Sequence, residues 1–146
     1  MDKTALIVLC LLMLLVLGGC KPGKPNEPQP ETGKSVCFIN EVKEADVWIL
    51  PETEKNLKTT VWGTATAAKV QPGELRRVPL CEPGSSGRYL LRMIDTDSFY
   101  YSANSLMLAD GWTITLKEDE AHAVTAVVTD SNGTLQSTYE VFAAKL

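Results

Sequence analysis

Short runs in which apolar and polar residues alternate, each closed by a turn residue, limit what this chain can fold into. A side-chain period of two belongs to an extended strand with one buried face. The runs are Ser35–Asn40, Asp46–Leu50 (stopped by Pro51), Thr59–Gly63, Glu74–Leu80, Gly87–Asp95, Phe99–Ser102, Trp112–Leu116, Ala123–Thr129 and Leu135–Phe142. Gly87–Asp95 is the clearest, with Tyr89, Leu91 and Met93 on one face and Leu90 and Ile94 on the other. Gln71-Pro72-Gly73 reads as a turn and Glu82–Gly87 as a loop. Asn132-Gly133 between two alternating runs predicts a tight hairpin, since a type I′ turn needs positive φ at both central residues. Helical periodicity is weak, and Asn104–Asp110 reads at most as one helical turn. Seven to nine short strands at this spacing predict an all-β domain: an antiparallel β-sandwich, Greek-key or immunoglobulin-like, or a small barrel. About 110 residues suit one such domain with a modest core.

The first 34 residues obey different rules. Ala5 to Leu17 is an apolar run of roughly 13 residues, where a membrane-spanning helix needs about 20. Lys3 and the terminal amine supply positive charge ahead of it. Leu17-Gly18-Gly19-Cys20 closes the run. This sequence resembles the lipobox of bacterial lipoprotein precursors. The resemblance implies a signal peptide over residues 1–19, cut before Cys20, with the Cys20 thiol carrying lipid. Two or three acyl chains at about 0.8 kcal/mol per buried methylene make a lasting anchor. Lys21, not Asp, follows the cysteine. By resemblance to enterobacterial lipoproteins this favours the outer membrane in a Gram-negative cell. Residues 20–34 then form a proline-rich tether whose composition buries too little surface to offset chain entropy. Residues 35–146 are the folded domain.

Few groups are available for chemistry. The net charge is −4 with scattered basic residues, a balance that argues against nucleic acid as a partner. Of four cysteines, Cys10 leaves with the signal and Cys20 takes lipid. Parity and an oxidising compartment then predict a Cys37–Cys81 disulfide. His122 is the sole histidine, beside Glu118-Asp119-Glu120, and no GxSxG elbow accompanies it. It reads as a solvated strand-end residue, and no catalytic site is expected. Asp95 and Asp97 in one turn, and Asp130 in another, resemble fragments of a calcium loop but leave its pattern incomplete. No cofactor is expected.

Trp48, Trp62, Phe99, Tyr100, Tyr101 and Trp112 are the aromatics able to contact a ligand or partner. Phe99-Tyr100-Tyr101 must alternate between faces, so one of them should reach solvent. The domain also resembles a loose group of uncharacterised bacterial exported domains. The residues that carry this likeness are Pro51, Trp62-Gly63, Pro72-Gly73, Asp95 and Tyr100, with Ser98 standing where a turn glycine is usual. The resemblance implies an all-β lipoprotein domain and no particular activity. The expectation is a lipid-anchored, non-enzymatic cell-envelope domain that binds a protein partner or a glycan. A structural or accessory subunit of an envelope assembly, and a calcium-dependent binding module, are the alternatives.

Overall fold

The computed structural model describes residues 31–146. The expected signal peptide, Cys20 and most of the tether lie outside the described residues. The described residues are nearly all β, with nine strands: β1 (Glu31–Asn40), β2 (Ala45–Pro51), β3 (Ala67–Val70), β4 (Leu75–Cys81), β5 (Tyr89–Asp95), β6 (Phe99–Leu106), β7 (Thr113–Glu118), β8 (Val124–Thr129) and β9 (Leu135–Lys145). One short helix, α1 (Glu54–Lys58), sits between β2 and β3. β1 begins four residues before the expected domain boundary, inside the segment read as tether.

The strand order is β3-β2-β5-β6-β9-β8-β7-β1-β4, a sheet nearly closed into a barrel. β9 turns the corner between two layers. Its first part, through Val141, pairs with β8. Its last part, Phe142 to Lys145, pairs with β6. All pairs are antiparallel except β1 with β7, which run parallel with Cys37 opposite Thr113. This corrects the expectation of a wholly antiparallel sheet. The two strands lie far apart in sequence, so no hairpin dictates their relative direction.

The edge strands β3 and β4 follow one another in the chain, joined by the turn at Pro72-Gly73. The Arg76 guanidinium spans the seam to the Ala68 carbonyl at 3.2 Å and also holds the Glu74 carboxylate at 2.7 Å. The Gln71 backbone N–H, and then Arg76, keep the Glu74 carboxyl below the usual carboxylate range.

Alternation explains the core. β8 buries Val124, Ala126 and Val128, and β7 buries Ile114 and Leu116. They face Val36, Phe38, Val47, Ile49, Leu91 and Met93 in one continuous cluster. β5 is buried on both faces because a smaller cluster of Trp48, Leu50 and Leu90 covers its outer side.

Three local readings need correction. Thr59–Gly63 is a loop and not a strand. Its Trp62 donates its indole N–H to the Thr59 carbonyl at 3.2 Å, and the next strand starts only at Ala67. Asn104–Leu106 continues β6 instead of forming a helical turn. Ser105 sits there at φ +59, held by hydrogen bonds from its N–H and hydroxyl to the Glu52 carboxylate. The β8–β9 hairpin forms where expected, yet positive φ occurs at Gly133 and not at Asn132. The connection is a longer loop in which the Asp130 N–H reaches the Thr134 carbonyl at 2.9 Å. A type I turn followed by a left-handed glycine, with a bulge, fits this pattern.

The expected Cys37–Cys81 disulfide is not formed. Cys37 lies opposite Arg77 on the β1–β4 ladder. Cys81 is four residues further along β4, which is about 13 Å at strand rise. A disulfide needs Cα atoms within about 7 Å. Parity of cysteines gave the pair, but strand register separates it. Cys37→Ser is therefore expected to change stability by under about 1 kcal/mol, not the 2–5 kcal/mol that loss of a native disulfide costs; urea melts of the two proteins measure this.

Candidate ligand groove

The predicted aromatics divide between structure and surface. Trp48 is buried on the outer face of β2, and its indole N–H donates to the Gly63 carbonyl at 3.2 Å. Trp62 lies against it, with centroids 5.4 Å apart and planes tilted by 58°. Trp62 also stacks on Tyr100 at 5.6 Å and 12°. Offset and tilted rings of this kind hold each other. Trp48 is buried, whereas Trp62 and Tyr100 are half-buried, so the trio is a satellite cluster on the outer face. Trp112 packs against the main core. Phe99, at the start of β6, is 37% exposed and is the most exposed of its triplet, with Tyr100 half-buried. Tyr101 points inward and donates its hydroxyl to Asp95 Oδ2 at 2.8 Å.

Next to Trp48 on the same face is Arg92, which is only 5% exposed. Its guanidinium donates to the carbonyls of Leu91 at 2.9 Å and Ala103 at 3.1 Å. Burial lowers its pKa, an effect that Tyr100 and Glu52 oppose. Arginine's intrinsic value is high enough that it stays charged.

The three calcium candidates are each engaged by donors from the protein. Asp95 Oδ1 accepts the backbone N–H of Asp97 and Phe99, which ties the β5–β6 turn. Asp97 pairs with Lys43. Asp130 accepts the N–H of Asn132 and Thr134 and the Gln136 side-chain amide. These are turn-capping roles, in which side-chain oxygens stand in for backbone acceptors. Among the described residues, no three metal-ligating side chains come together. His122 is exposed at φ +64, with Nδ1 2.8 Å from Glu118 Oε1. Asp119 caps the same turn by accepting the N–H groups of Ala121 and Ala123.

The corner strand creates the feature that the sequence did not disclose. Where β9 changes partner, β6 and β8 part on either side of it. An open groove of about 700 Å³ lies there, lined by Ser102, Asn104, His122, Thr125, Glu140 and Phe142 together with intervening residues. Register explains the lining. Phe142 pairs with Ser102 and Glu140 with Thr125. Val141 faces the core, so Glu140 and Phe142 face outward, and Ser102 and Thr125 with them. Phe142 is 63% exposed. Among the described residues, the side chains of Ser102, Asn104, Thr125 and Glu140 make no hydrogen bond or ion pair. The contrast with the turn aspartates, whose oxygens are occupied, is plain. A signal for Phe142 existed: Val141 and Phe142 are consecutive large apolar residues in a strand that otherwise alternates, so one had to face water.

Comparison with protein-family models, with curated proteins and with solved structures returns no match to this chain. The groove's chemistry is therefore the guide to function.

Proposed function

We propose that this chain is a lipid-anchored, non-enzymatic binding domain of the cell envelope, and that the β6–β9–β8 groove is where it holds its partner. The observation that carries the reading is the groove itself: an exposed aromatic ring beside four polar side chains with unused hydrogen-bonding capacity. Small-ligand sites combine an apolar contact surface with a few convergent polar groups in this way. The anchor follows from Leu17-Gly18-Gly19-Cys20 after an apolar run too short to span a membrane.

Two experiments separate the parts of this proposal. Cys20→Ser should abolish incorporation of labelled palmitate and leave unprocessed or released protein; normal labelling and membrane retention would refute the anchor. Phe142→Ala should abolish capture of the partner from envelope extract while the melting temperature stays within about 2 °C, because an exposed side chain contributes little to stability. Undiminished capture would refute the groove.

A further inference from the structure

We infer that the occupant of the groove is an uncharged, hydroxyl-rich carbohydrate chain. This inference rests on the reading of the groove as the binding site and names its ligand class.

Three observations select that class. The first is Phe142, an aromatic ring left 63% exposed on the outward face of β9. The face of an aromatic ring carries negative charge density, which suits the weakly positive C–H face of a pyranose. The second is the kind of polar group around it. Ser102 and Thr125 bring hydroxyls and Asn104 an amide, all of which both donate and accept, and Glu140 accepts. Sugar hydroxyls also donate and accept, so each can be answered twice. None of these four side chains is committed elsewhere among the described residues, so a ligand displaces water and not an internal bond. The third is charge. Lysine and arginine are missing from the lining, and His122, its one basic side chain, already faces Glu118. Glu140 is the acidic side chain of the lining, and Lys117, opposite Thr125 on β7, lies outside it. A phosphate, a sulfated glycan or an acidic peptide would meet the Glu140 carboxylate and no lysine or arginine within the lining.

A protein partner fits less well. Interface centres are built from clustered aromatics and arginine in dry pockets. Here Trp48 and Arg92 are buried, Trp62 and Tyr100 are half-buried against each other outside the groove's lining, and one aromatic ring lies in it. The open shape also suits an extended chain that enters and leaves, with a volume within the range of sites that take small ligands.

The test uses the full acylated chain in detergent micelles. Titration calorimetry would follow binding of neutral oligosaccharides, with tetramers of N-acetylglucosamine and of glucose as probes, and of a sulfated oligosaccharide as the charged comparison. The expected result is binding of at least one neutral tetramer, weakened at least tenfold in Phe142→Ala and three- to tenfold in Asn104→Ala. The sulfated probe should bind at least tenfold more weakly than the best neutral one. Absence of neutral-sugar binding at millimolar concentration overturns the inference. So does neutral-sugar binding that is indifferent to Phe142→Ala, or preference for the sulfated probe. The capture experiment separates the two levels. If Phe142→Ala still abolishes capture of a protein from envelope extract while neutral sugars fail, the groove stands as the binding site and the carbohydrate assignment falls. If Phe142→Ala changes neither measurement, both fall.

Discussion

Asp95→Ala should lower the stability of the domain by about 3–4 kcal/mol and broaden or abolish its thermal transition. Asp95 is buried at 6% exposure and anchors three donors: the N–H groups of Asp97 and Phe99 through Oδ1, and the Tyr101 hydroxyl through Oδ2. Removal leaves the Tyr101 hydroxyl unpaired in the core, which costs about 1–3 kcal/mol alone. It also loosens the β5–β6 turn, where Ser98 holds φ +62. Asp95→Asn should lose less, because one amide oxygen still serves the turn. The same contact sets an alkaline limit. Burial first, then Asp95, pushes the Tyr101 pKa well above tyrosine's ordinary value of 10.0. Burial likewise raises Tyr89, whose hydroxyl donates to the Cys81 carbonyl. The unfolded chain therefore releases these protons first. Stability due to these groups should be constant below about pH 10 and fall as pH rises beyond it. Urea melts between pH 8 and 11 measure the slope, and Tyr101→Phe should reduce it. A slope of the opposite sign would contradict the buried hydroxyls.

Phe38→Ala should cost about 3–5 kcal/mol, the range for truncating a buried phenylalanine. Phe38 is fully buried on β1, opposite Arg76 of β4 and Ile114 of β7. Its ring fills the layer where the parallel and antiparallel ladders meet. Domains of this size are stable by only about 5–15 kcal/mol. The substitution should thus lower the melting temperature by roughly 15 °C. A drop under about 4 °C would mean that the neighbouring strands collapse around the cavity, which the two ladders flanking Phe38 oppose.

What the sequence discloses depends on whether the signal is local. β5 is legible because Tyr-Leu-Leu-Arg-Met-Ile-Asp is apolar on both faces, and both faces are buried. β7 and β8 are legible because one face alone is buried, so alternation is clean. β3 is missed because it is a four-residue edge strand, Ala-Ala-Lys-Val, too short to show alternation. α1 is missed because it is a single turn, whose main marker is the Thr53 hydroxyl accepting the Asn56 N–H. The parallel pairing of β1 with β7, which separates Cys37 from Cys81, has no local signal, because register between distant strands is a tertiary property. The groove is illegible for the same reason. Ser102, Thr125 and Phe142 meet only because β9 changes partner between Val141 and Phe142, while the tryptophans that draw attention in sequence cover one another. Ser98 is instructive in the other direction. The resemblance placed a turn glycine there, and the backbone does take the left-handed form that glycine prefers, with Asp95 supplying the hydrogen bonds that hold the turn.

The partner change of β9 also sets the order in which the protein can assemble. Among the described strands, β9 comes last in sequence but lies in the middle of the sheet. Until it pairs, β6 and β8 each present an unsatisfied edge, and the two layers meet along the seam of β2 and β3 with β4. A chain that appears from its N-terminus can prepare two half-sheets but cannot close them. Such non-local pairing is slow, on the order of milliseconds to seconds. Refolding of the domain should therefore wait on β9, whose pairing closes both open edges at once.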